Sequence, residues 1–294
     1  MSRPNTSRSL LSRLGAFFKS SKSKTDTFSA EHIAARVKLP FTNLQIPELS
    51  ICWKNNLFLQ HLYDLPRGAL SGPVQEDKAQ AHALFSKLIN KVIDTECVID
   101  LRDIYGFSES LPHLATTPDL ESFAAHPECR HIRIISYRDF EKTITQAVPS
   151  FLSDQPLNLR QASWLGEQLF WADEQSACEF ACAVVYARRR GLDLPKRTYI
   201  SRYSLNTSVL HTIQKNYHML IMPEQTWADA EFMAILLGSR SPYARLTLAK
   251  SPTAVEVLLL SKRNPLSDTL GRGLRRAGAD DACDTLMHLA SMQK

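Results

Sequence analysis

Two cysteines stand four residues apart in Ser176–Gly191, which reads SACEFACAVVYARRRG and closes on three arginines and a glycine. Such a stretch offers a reactive thiol, an anion contact or a capped, buried helix. Cys178 and Cys182 share one helix face. A reactive thiolate needs a nearby cation or helix N-terminus to depress its pKa, and here Asp173, Glu174 and Glu179 crowd the start of the helix. From Ala177 to Ala187 only Glu179 is polar in character, so the helix is expected to be buried on both sides and its cysteines to pack as small hydrophobes. Arg188, Arg189 and Arg190 fall in the last turn, where cations complement the helix dipole, and Gly191 suits the left-handed position that ends a helix. Successive side chains point about 100° apart, so the three arginines cannot all face one ligand.

The nine histidines form no H-E-x-x-H or H-x-H pattern, and Cys129 with His131 has no second pair close in sequence. No metal site is assigned. Asp94, Glu96, Asp100 and Asp103 flank a strand and read as solvated acids rather than Mg²⁺ ligands. Phosphate-binding glycine loops and the G-x-S-x-G elbow are absent from the sequence, and no cofactor is assigned. The acid/base candidate is Glu167. Read as part of a strand over 163–172, it interrupts the apolar face of Leu165, Leu169 and Trp171. An inward carboxylate there would titrate high. His211, His218 and Arg202, from the elements that follow, are the residues expected to converge on it. Trp171, Asp173, Glu174, Gln175 and Arg202 are the binding candidates at the turn.

The elements that must position these residues alternate. Apolar spacing predicts helices over 28–38, 74–93, 119–125, 139–148, 177–190, 206–215 and 226–237, the last with Thr226 as N-cap. Strands are expected near 49–54 and over 96–104, 131–137, 163–172, 197–204 and 217–222. Residues 245–250 and 255–261 read as a closing hairpin, followed by two short helices. Residues 149–160 read as a loop, where a sub-boundary could fall. The alternation argues for an α/β or α+β fold, a mixed sheet flanked by helices in one main domain over 28–294.

Residues 1–27 read as a basic, Ser-rich tail. Leu10, Leu11, Leu14, Phe17 and Phe18 fall on one face of a short amphipathic helix within it. Residues 1–24 hold six basic residues and no acid, so the rest of the chain nets to −1 although the whole is +5. A body so near neutrality does not favour nucleic acid as a partner. Six dispersed cysteines without a C-x-x-C pair fit a reducing, cytoplasmic setting, and no apolar run reaches membrane-spanning length.

One order of elements is familiar. "RIISYRDF" leads a strand into a helix, "LGEQLFWA" leads a strand into a tight turn and an alanine-rich helix, and "GLDLP" precedes the next strand. Over residues 132–203 this resembles the core of the ParB-like and sulfiredoxin-like family, in which that turn cradles nucleotide phosphates. The resemblance implies a phosphate site at Ala172–Ser176. There, acids stand where the family has a glycine and a basic residue, and acids at a helix N-terminus repel phosphate. As a whole the chain is similar to uncharacterised bacterial families of unknown function.

These readings predict a binding or regulatory module, its ligand an anion or a protein partner. The alternatives are an enzyme with its site at Trp171–Ser176 and a delivered or membrane-surface effector using the tail.

Overall fold

A computed structural model describes residues 28–108, 116–172, 176–250 and 253–291. Residues 1–27 and 173–175, with the amphipathic segment and the candidates Asp173, Glu174 and Gln175, lie outside them.

The larger sheet is mixed. It comprises β1 (Ile89–Asp100), β2 (Ile104–Phe107), β3 (Leu157–Ala162), β4 (Leu169–Trp171) and β5 (Pro195–Leu205), in the order β1-β5-β3-β4-β2. β5 runs antiparallel to β1 and parallel to β3; β4 runs antiparallel to β3 and parallel to β2. A second, antiparallel sheet holds β6 (Tyr217–Met222), β7 (Ala244–Ala249) and β8 (Val255–Ser261) in the order β6-β8-β7. The described α-helices are α1 (Ala30–Arg36), α2 (Gln75–Phe85), α3 (Leu120–Ala124), α4 (Tyr137–Ala147), α5 (Ala177–Arg190), α6 (Thr207–Asn216), α7 (Ala230–Ser239), α8 (Pro265–Arg276) and α9 (Ala282–Ser291). Of these, α3, α4 and α5 cover the outer face of the mixed sheet, α1, α7 and α8 that of the second sheet, and α2, α6 and α9 pack into the cluster between the sheets.

Period-2 alternation sorts the strand residues into layers. Leu157, Leu159, Trp171 and Ile200 of the mixed sheet pack against Phe140 and Ile144 of α4 and Phe180 and Val184 of α5. On the sheet's other face Phe170, Tyr203 and Leu205 join Met219, Ile221, Val257 and Leu259 of the second sheet in one apolar cluster. The far side of the second sheet presents Leu220, Met222, Leu258 and Leu260 to Ile33 of α1, Phe232 of α7 and Leu270 of α8. The layers therefore run helices, mixed sheet, antiparallel sheet, helices. β6 lies between the last two apolar layers, and all six of its residues are buried.

Helix ends follow local chemistry. Ser136 and Asp139 form a capping box on α4, each side chain bonding the other's backbone. Asn264 precedes Pro265 and accepts from the N–H groups of Leu266 and Ser267 to cap α8. α5 ends as its sequence requires: Gly191 sits at φ 63° and Leu192 N–H reaches back to Ala187 O at 3.0 Å.

Five expectations are corrected. The predicted helix 74–93 stops at Phe85, and the stripe residues Ile89 and Val92 belong to β1. Their helical spacing loses to pairing with Leu205 and Arg202 of β5. Residues 131–137 form no strand, and α4 begins at Tyr137, so the likeness to the ParB-like and sulfiredoxin-like order lacks its first strand. Within 149–160 the chain enters β3, which pairs with both β4 and β5 at the middle of the sheet. The strand expected over 163–172 is only Leu169–Trp171. Gly166 at φ 65° and Glu167 at φ 60° turn the chain back between β3 and β4. Finally, Asp229 rather than Thr226 caps the next helix, its side chain accepting from Phe232 N–H at 2.7 Å, while Thr226 lies buried in a 3₁₀ turn.

Candidate functional site

The residues singled out for acid/base chemistry lie in separate surroundings. Glu167 is exposed on the turn between β3 and β4, so it is no inward carboxylate. Its backbone carbonyl accepts from Gln161 Nε2 at 2.5 Å, and Gln161 Oε1 accepts from Arg202. Arg202 also lies 3.6 Å from Asp94. Glu167 and Arg202 thus share a patch through Gln161, but no histidine joins them. His211 is exposed on α6.

His218 is buried in β6. Its Nε2 is 2.9 Å from Asp268 Oδ1 and its Nδ1 has no hydrogen-bond partner. Burial pushes its pKa below the ordinary histidine value, against the opposing pull of Asp268. The ring lies so close to α8 that a Cβ on Gly271 would fall 2.3 Å from its Cδ2. This is a packed polar pair filling the seam between β6 and α8. A hydrogen-bonded neutral imidazole is how a buried histidine avoids its desolvation cost.

The two opening questions resolve in favour of the core. Cys178 and Cys182 meet Cys129, a convergence that sequence distance concealed. Burial raises all three thiols, Cys182 to about 11, so none is a ready thiolate. None of the six cysteines is joined in a disulfide. Arg188 is a fastener rather than a ligand. Its guanidinium bonds Glu121 at 2.8 Å and the carbonyls of Arg102 and Ile104, tying the end of α5 to α3 and to the start of β2. Arg189 and Arg190 are exposed, with Arg190 over the Tyr186 ring.

Two of the hollows among the described residues bear on the site. The first lies beside Trp171, where the sequence pointed. It encloses about 260 Å³ between the end of α4, the 149–156 loop and the start of β3. Trp171 is nearly fully buried and its indole N–H has no hydrogen-bond partner among the described residues. The wall is held by Lys196, buried in β5, whose ammonium donates to the carbonyls of Ser150 and Ser153. Burial lowers the pKa of that amine.

The second hollow was not anticipated. It is a cleft of about 380 Å³ where the C-terminal end of β6 and the N-terminal end of β8 meet the irregular segment 42–47. Leu44, Leu57, Ile221 and Val255 give it apolar walls, while Asn43, Gln45, Thr253 and Glu224 supply polar groups. The volume falls in the range of small-molecule sites, about 300–1,000 Å³. Among the described residues, its lining includes the acid Glu224 and no Lys or Arg. Segment 42–47 alternates polar and apolar residues only over 43–46, too short a run to mark an element. The available signal is Leu44 and Ile46 set between polar residues and closed by Pro47.

Among the described residues no group of three or more His, Cys, Asp or Glu is placed to hold a metal ion. No described helix is long and apolar enough to cross a membrane. No curated protein and no solved structure matches the chain. Residues 94–294, about two thirds of the sequence, match a family of unknown function, DUF6685. They run from the middle of β1 through α9 and include both sheets' pairing partners from β2 onward. With a match over that share of its length, the chain belongs to the DUF6685 family of unknown function.

Proposed function

We propose that the protein is a binding module whose site is the cleft between segment 42–47 and the ends of β6 and β8. Its ligand would be a compact, largely apolar molecule, neutral or cationic at its polar end. The observation that carries this reading is the cleft's composition: apolar walls with a few hydrogen-bonding groups and one carboxylate at the rim. That rim speaks against the anionic ligand considered from the sequence. The dispersal of Glu167, His211 and His218 over separate surroundings supports a module that binds over one that catalyses. Cysteines not joined in disulfides support a reducing, cytoplasmic setting.

The test uses Nile red, a neutral apolar dye, and the variant Ala254→Trp, which places a large ring at the cleft's exposed rim. Dye fluorescence should rise with the wild-type chain and not with the variant, while circular dichroism stays the same. Equal brightening by both proteins, or none by the wild type, rejects the cleft as the site.

A further inference from the structure

β1 is an unusual edge. It is twelve residues long, its strand neighbour is β5, and no other described strand lies along its far side. Val92, Ile93 and Val98 are 61 %, 56 % and 66 % exposed, and Tyr199 on the adjacent β5 is also exposed. Long edge strands carrying apolar residues are templates for pairing with another strand. The common safeguard is a bulge that spoils the outer register, and β1 has one, between Asp94 and Cys97.

The bulge decides which partner fits. Cross-strand partners lie on the same side of a sheet. Lys91, Ile93, Val98 and Asp100 pair with Tyr203, Ser201, Arg197 and Pro195, so these four share one side. Val92, Asp94, Cys97 and Ile99 pair with Arg202, Ile200, Thr198 and Lys196 and share the other. A regular foreign strand laid along β1 would match one half and put the other half on the wrong side. A second copy of β1, antiparallel across a two-fold axis between positions 95 and 96, meets no such conflict, because the extra residue in one strand faces the extra residue in the other. Position 91 then meets 100 of the other copy, 92 meets 99, 93 meets 98 and 94 meets 97. Every pair joins residues from the same side. Ile93 faces Val98 and Val92 faces Ile99, each twice by symmetry, while Lys91 falls opposite Asp100, whose carboxylate holds Arg102 of its own chain at 2.7 Å.

We infer that the protein self-associates through β1, two copies joining their five-stranded mixed sheets into one ten-stranded sheet. The interface is isologous, as a two-fold requires. It lies on the mixed sheet and does not depend on the cleft at the ends of β6 and β8.

Sedimentation equilibrium of the full chain tests this over about 1–100 µM, which brackets micromolar association. A dimer is expected. The double substitution I93K/V98K sets lysine opposite lysine twice and should weaken it by at least about tenfold. Both positions are exposed, so the melting temperature of the diluted protein should not change. Separately, I93C/V98C should give a disulfide-linked dimer joining position 93 of one chain to 98 of the other, identified by peptide mass. A monomer throughout the range, a dimer indifferent to the lysines, or cysteines that link in no such pair would each overturn the inference.

Discussion

β6 and β1 both stand at the end of their sheet's strand order, yet one is buried at every position and the other is open for most of its length. The difference is not in the ladder, since each pairs antiparallel with a single long neighbour. It lies in what covers the far side. Beside β6 the chain before α9 passes close enough that Ile221 N–H donates to Asp280 O at 3.0 Å and Leu220 bridges to Asp281. Apolar layers close over both faces of β6. β1 has Ile89 in the core at its start and Cys97 and Ile99 packed on the core near its end, but Val92, Ile93 and Val98 are exposed. An edge is therefore finished by a short strap and two complete layers, and among the described residues β1 has no strap and only partial layers.

That contrast can be broken most forcibly in β6. Leu220→Ala removes a fully buried side chain between β6 and α8 and should cost about 2–5 kcal/mol in urea unfolding. A loss below about 1 kcal/mol would mean that β6 is far less tightly enclosed than its burial indicates.

A second, smaller effect comes from protons. His218 is depressed by burial, so in the unfolded chain it takes up a proton near its ordinary value of about 6.5 while the folded chain resists. The unfolded state then binds more protons. Stability should fall as pH drops through that value toward the lower folded one. His61, depressed for the same reason, adds to the slope. Asp281 acts in the opposite sense: burial raises its pKa above the ordinary carboxylate value, so its contribution to stability falls as pH rises from that ordinary value through the raised one. The part belonging to His218 is the difference between wild type and His218→Gln in thermal melts from pH 7.5 to about 5. Identical slopes would show that the His218–Asp268 pair does not titrate with folding.

The smallest effect sharpens the other side of the comparison. Val92→Thr on the open edge should change the stability of the diluted protein by no more than about 0.5 kcal/mol. A cost near that of Leu220→Ala would show that β1 is covered after all.

The same contrast explains what could be read in advance. β6 was legible to the residue, because six apolar or aromatic-rich positions bounded by Asn216 and Pro223 leave a buried strand as the economical reading. The α5 helix and its Gly191 stop were legible because capping is local chemistry. β1 was misread because Leu84, Leu88, Ile89 and Val92 suit a helix stripe, and only the partner strand over a hundred residues away makes them a strand. β3 hid behind a polar lead-in with Pro156. Of the site, Trp171 was a sound pointer to a hollow, but the supposed inward Glu167 rested on a strand that two left-handed residues interrupt. At the cleft, segment 42–47 alternates too briefly to mark an element.

Lys196 has one more consequence. It grips its loop through the carbonyls of Ser150 and Ser153, which every amino acid possesses. These two anchors therefore do not depend on which side chains the loop carries, whereas Phe151 on the core and Asp154 paired with Arg197 do tie it by side chain. Mutational drift at the loop's other positions is expected to be cheap as long as the buried amine stays. The hollow beside Trp171 can then change its chemical character across related proteins while keeping its shape.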